Sequence, residues 1–305
     1  WTDLFRRRGG WWSGSEGAGV YRNPGLPTLN AWMVEEPIGP ETTQALLVRN
    51  PYYFKVDPEG NQLPYLDAVS LRVFDNVETM VLATLNGEIN MQDRHIATLD
   101  NKALFFDSME EGDFRFYDLV PSSMNTAILA LNLTHPDPVK REIYGNKDFR
   151  IGLSHAINRE EIINIVYLGQ GTPYQAAPRP TSPFYHEQLA TQYTEYDVDL
   201  ANQYLDQAGF SERDGEGYRL GPDGDRIIIP VEIRNTETDV IATFELIQGY
   251  MEAVGIDLRL EVEDRSLLYE RKEANEHDAV VWAGDGGLDV VLEPRWYFPY
   301  SHESN

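Results

Sequence analysis

The sequence predicts an α/β protein, and three stretches carry that expectation. Strand and helix patterns alternate from Arg226 to Gly284, an alternating strand from Ala68 to Phe74 is followed by helical spacing, and a strand-like run from Asn125 to Leu133 precedes further helical segments. At 305 residues with 42% hydrophobic content, the chain is long enough for two domains with a sizeable core.

Residues 1 to about 45 are rich in Gly, Pro and Trp without periodicity and read as loops and short strands. ALLVRNPYYF ends on an Asn-Pro turn signal, DPEGNQLPYLD is a loop, and AVSLRVF alternates as a strand. In VETMVLATLNGEIN, Val77, Met80, Val81 and Leu85 recur at helical spacing and Gly87 is a natural stop. KDFRIGLSHAI places Phe149, Leu153, Ala156 and Ile157 on one helical face. Asn158 then caps a new helix, with Glu161 at the capping-box position. The prolines of GTPYQAAPRPTSPFY demand an irregular loop. DVDLANQYLDQAGF is expected as an amphipathic helix with Leu200, Tyr204 and Ala208 inward, and RDGEGYRLGPDGDR as a hairpin.

RIIIPVEIRN reads as a strand, and TDVIATFELIQGYMEAVG as a helix with Ile241, Phe244, Ile247 or Gln248 and Met251 along a face. IDLRLEV alternates, RSLLYERKEANE is helical, and DAVVWAG is an apolar strand. This βαβαβ order implies a mostly parallel sheet, whose ligands sit at the carboxyl ends of the strands. Asp285 follows such an end, between glycines that let a ligand or another backbone approach closely. A carboxylate there either meets a cation or caps the next helix.

Fifty acids against 25 bases give a formal charge of −25, which sets the chain against nucleic acid and anionic membranes as partners. With no Cys, disulfides and thiolate metal sites are ruled out. The start WTDLFRRRGGWW and the end YFPYSHESN read as those of an excised piece. Arg6 to Arg8 are expected to be solvated or paired, and Trp11 and Trp12 to be packed. Asp285, Asp289 and Glu293 stand at four-residue intervals, which on a helix would stack three acids and suggest glycoside chemistry. The histidines lack metal-ligand spacing, DPEGNQLPYLD lacks the calcium-loop Gly and closing Glu, and AGDGG lacks phosphate-loop spacing. No cofactor or metal is expected.

The motifs RNPYYFKVDPEGNQLPYLDAVSLRVF, LNGEIN, ALNLTHPDP, KDFRIGLSHAINREEIINIVYLGQGTP, YDVDLANQYLDQAGF, IQGYMEAVGIDLRLEV and VVWAGDGG, in this order from Asn50 to Gly286, resemble the family 5 extracellular solute-binding proteins of ABC importers. The resemblance implies a two-lobed fold like that of type II periplasmic binding proteins. The chain would hold part of lobe I (residues 1–126), most of lobe II (127–305) and a hinge near Asn125 to Asn132. It implies a periplasmic or extracytoplasmic monomer that passes its ligand to an ABC permease, with the question of a lipid anchor depending on sequence before Trp1. In peptide-binding relatives the Trp of a W-x-x-D motif lines the cleft and the Asp takes the peptide's ammonium, which here match Trp282 and Asp285, with Gly284 and Gly286 beside them. Relatives usually continue Asp-Tyr-x-Asp-Pro, whereas this chain reads Asp285-Gly286-Gly287-Leu288-Asp289 and meets proline at Pro294. Peptide is the first expected cargo. Oligosaccharide is the second, with Trp282, Trp296, Tyr297 and Tyr300 as aromatic platforms. An acidic glycoside-active enzyme is the competing class.

Overall fold

The computed structural model describes residues 23–24, 27–39, 42–92, 94–292, 294 and 297. Arg6 to Arg8, Trp11, Trp12, Glu293, Trp296 and Tyr300 lie outside the described residues. The fold is mixed α/β, in two compact units that divide between Arg115 and Phe116. Among the described residues no helix is long and apolar enough to cross a membrane.

In the first unit, β1 (Trp32–Glu36), β2 (Gln44–Arg49) and β3 (Ala68–Arg72) form an antiparallel sheet in sequential order. Two helices follow, α1 (Val77–Leu85) and α2 (Leu99–Asp107), each started by a side-chain cap, Asn76 accepting from Thr79 N–H and Thr98 from Asn101 N–H. The loop between β2 and β3 is held by polar bonds. Asn50, 2% exposed, donates to the Thr28 and Asn30 carbonyls, and Asp57 accepts from Asn61 and Tyr65.

The second unit contains β4 (Ile128–Leu131), α3 (Pro138–Gly145), α4 (Lys147–Ala156), α5 (Arg159–Ile165), α6 (Glu187–Thr191), α7 (Val198–Gln207), β5 (Ile228–Arg234), α8 (Thr238–Ala253), β6 (Asp257–Glu263), α9 (Arg265–Glu273) and β7 (Ala279–Trp282). Its sheet runs β4-β7-β5-β6, with β7, β5 and β6 parallel and β4 antiparallel to β7. β5 is therefore central, and the chain steps from it to β6 on one side, then back across to β7 on the other. With right-handed crossovers the two connecting helices must cover opposite faces. They do: α8 packs Val240, Phe244, Ile247 and Met251 into the core with Ile229, Val231 and Ile233, whereas α9 sends Arg271 to Glu232 on the other face of β5.

Two helical faces differ from the sequence expectation. In α7 the buried residues are Ala201 and Leu205, one position along from Leu200 and Tyr204. Gly152 of α4 causes this, because a Cβ there would stand 2.8 Å from Leu205 Cγ and 3.0 Å from the Ala201 carbonyl. Tyr204 instead stacks on His155 at 5.7 Å. In α8, Val240 and Thr243 are buried with Phe244, while Ile241 only borders the core. Gly152→Ala is expected to destabilise the second unit by about 1–3 kcal/mol, because backbone is among the atoms that would have to move. Urea unfolding of the variant checks this.

Candidate ligand-binding site

Parallel β5, β6 and β7 end together, on Arg234, Glu263 and Trp282. Register places Arg234 opposite Glu263 on one side, and the β5–β7 pairing of Glu232 with Val280 brings Trp282 beside Arg234 on the other. The three side chains thus form one row on the α9 face, at the carboxyl edge where strand order reverses and where open α/β sheets take ligands.

Trp282 is half-buried within this row. The Arg234 guanidinium carbon lies 3.9 Å from its ring centroid, and Arg234 Nη2 donates to the Glu237 carboxylate just before α8. Tyr269 of α9 meets the Trp282 ring edge-on at 5.9 Å, and Arg265 lies 5.3 Å from the Tyr269 centroid and 5.7 Å from that of Trp282. Cation–π contact and edge-to-face packing hold an aromatic ring in one orientation.

Asp285 is half-buried in the turn that leaves β7. That turn is bonded to the segment before β4: Met124 N–H donates to the Gly284 carbonyl, Asn125 N–H to Ala283, and Gly287 N–H to Ser122. Gly284 has φ +70 and Gly286 φ +84, both in the left-handed region. A Cβ on Gly284 would meet Met124 Cε at 2.6 Å, and one on Gly287 the Ser123 carbonyl oxygen at 2.7 Å. The near group is thus the Met124 side chain at Gly284 and the Ser123 backbone at Gly287. Tyr297 donates from its hydroxyl to the Gly286 carbonyl at 3.1 Å.

No helix runs through residues 283–292, so Asp285 and Asp289 do not share a helical face and Asp285 caps no following helix. Asp289 instead accepts from the Val291 and Leu292 amides, closing a turn. The stacked-acid arrangement expected for glycoside chemistry is absent among the described residues. A cavity of about 880 Å³ runs along β4, lined by Leu129, Leu131, Arg159, Tyr174 and Tyr297 among others. Trp282 and Asp285 do not line it.

Polar groups also occupy the α9 face further from the edge. Glu232, fully buried, lies 3.0 Å from Arg271, which also pairs with Glu261 at 2.9 Å and Glu263 at 3.6 Å. Burial pushes the Glu232 carboxyl up to about 7 against the pull of Arg271, with Glu263 and Glu261 adding to the rise. At the amino end of β7, burial holds the His277 imidazole down at about 4, helped by the Lys272 charge, and its Nδ1 has no hydrogen-bond partner.

These two groups act oppositely on stability. Between pH 4 and 6.5 the unfolded chain binds a proton at His277 that the folded one does not, so that contribution is lost as pH falls. Between pH 4.5 and 7 the folded chain holds the extra proton at Glu232, so that contribution is lost as pH rises. Each slope is at most about 1.4 kcal/mol per pH unit. The net dependence from the pair is expected to be nearly flat from pH 4.5 to 6.5. Glu232→Gln should expose the His277 slope, with urea midpoints rising across that window relative to wild type.

Sequence reading did not find Arg234, Tyr269 or Arg265. The Glu-Ile-Arg alternation of β5 signalled a charged face, but the pairing of β5 with β7 comes from a crossover that spacing does not reveal.

The model of the bacterial extracellular solute-binding proteins, family 5 Middle, matches residues 24–304. The periplasmic alpha-galactoside-binding protein of Rhizobium meliloti is 25% identical over 211 residues, 65% of this chain and 29% of that protein. Among solved structures, the oligopeptide-binding protein OppA is 34% identical with a TM-score of 0.59, over 92% of this chain and 44% of that one. The periplasmic binding protein MelB of Agrobacterium fabrum, solved with stachyose, is 22% identical with a TM-score of 0.69, over 90% of this chain and 42% of that one, a likeness of fold. The chain spans less than half the length of each of these three proteins.

Proposed function

Because the chain belongs to the bacterial extracellular solute-binding proteins, family 5, we propose that it is the substrate-binding part of an ABC importer, capturing a peptide-like solute for delivery to a membrane permease. The carrying observation is the convergence of Trp282, its supporting Arg234 and Tyr269, and the turn bearing Asp285 at the carboxyl edge of three parallel strands. Trp282 offers aromatic surface, and Asp285 meets the solute's ammonium through a charge-assisted hydrogen bond. Gly284 and Gly286 fix the turn that presents it, and Tyr297 and Trp296 are proposed as further contacts. In this reading residues 1–126 belong to lobe I and 127–305 to lobe II. The protein acts outside the cytoplasm as a monomer, without cofactor or catalysis.

An oligosaccharide is the second cargo. The Trp282–Tyr269 pair favours it, as do relatives whose names specify alpha-galactosides and stachyose. Thermal denaturation with short peptides and with galactosides tests the proposal. Ligand at 100 times its Kd adds about 2.7 kcal/mol of stability, so a clear rise in Tm is expected with one class and is lost in Asp285→Asn. An unchanged Tm with both classes, or turnover of chromogenic glycosides, would overturn it.

A further inference from the structure

The two arginines on the Trp282 ring are not equivalent. Arg234 is 9% exposed, and its charge is met by Glu237, with Glu263 beside it in register. It closes one approach to the ring. Arg265, the first residue of α9, is exposed, and among the described residues no carboxylate pairs with it. Its guanidinium is held over the Tyr269 and Trp282 rings, at the carboxyl edge of the sheet.

Resting on the reading above, we propose that the solute carries a carboxylate, seated over Trp282 and bound by Arg265. A guanidinium held against aromatic rings keeps a planar fork of N–H donors that matches a carboxylate in a bidentate pair. An ammonium at the same place is repelled. Asp285, three residues beyond Trp282, takes the opposite charge. In peptide terms the preferred solute has an acidic first residue, its α-ammonium toward Asp285 and its side-chain carboxylate toward Arg265. In saccharide terms it is a sugar acid.

Calorimetric titration of the full chain with two matched probe pairs tests this: Glu-Ala-Ala against Gln-Ala-Ala, and a galacturonate trisaccharide against the neutral galactose trisaccharide. Within the pair that binds, the acidic member is expected to bind about tenfold or more tightly, the size of a charge-assisted hydrogen bond. Arg265→Gln should cost the acidic member about tenfold more affinity than the neutral one, so that the difference within the pair is erased, whereas a purely structural role would weaken both members equally. Equal affinities within a binding pair would overturn the carboxylate assignment and leave the solute-binding reading standing. Absence of binding in both pairs would overturn the peptide and saccharide readings, and the carboxylate assignment with them.

Discussion

Replacing Arg219 with Met is expected to lower the unfolding free energy of the second unit by about 2–4 kcal/mol, because it takes a charged donor away from two buried carbonyls. Arg219 is 1% exposed and joins three parts of the chain. Its Nε donates to the Val254 carbonyl, its Nη1 to Asp206 and the Phe210 carbonyl, and its Nη2 to Asn202. Met fills much of the side-chain volume but leaves the Val254 and Phe210 carbonyls without this donor where α7 and α8 end. Asp206 is 54% exposed at its side chain, so Asp206→Ala should cost much less, about 1 kcal/mol. Urea unfolding with a Tm drop of roughly 10 °C is the expected readout for Arg219→Met. A loss no larger than that of Asp206→Ala would show that the buried carbonyls find other donors.

Arg271→Met is expected to destabilise by about 2–3 kcal/mol at pH 8, discounted from the fully buried case because Arg271 is 30% exposed at its side chain. Without it, Glu232 is buried beside Glu261 and Glu263 with no cation among the pairs that hold it now. Glu232 titrates near 7, so by pH 5 it carries a proton in the folded state and the loss should shrink. Adding Glu232→Gln should recover most of the stability at pH 8. A loss of equal size at both pH values would place the role of Arg271 in its aliphatic stem instead of its charge.

The second unit was largely legible because its patterns are periodic: IDLRLEV alternates in register with RIIIPVEIRN as β6 and β5. α3 was passed over, although Asp137 before Pro138 is a readable helix start, with Asp137 accepting from the Val139 amide. The inward face of α7 was displaced by one residue because Gly152, on another helix, decides which side chain fits. Of the candidate site, Asp285 is legible from its place after the last strand and Trp282 from the W-x-x-D resemblance, whereas Arg234 and Arg265 depend on a crossover and a helix start that bring distant segments together. The glycines around Asp285 let a ligand or another backbone come close, and the sequence does not show that the segment from Ser122 to Asn125 is bonded to this turn.

Native mass spectrometry of the full-length protein purified from its host, beside Trp282→Ala and Asp285→Asn, tests the site most directly. A bound solute in the wild type that is absent from both variants is the expected result. The same solute retained in both variants would contradict it and place binding elsewhere in the molecule.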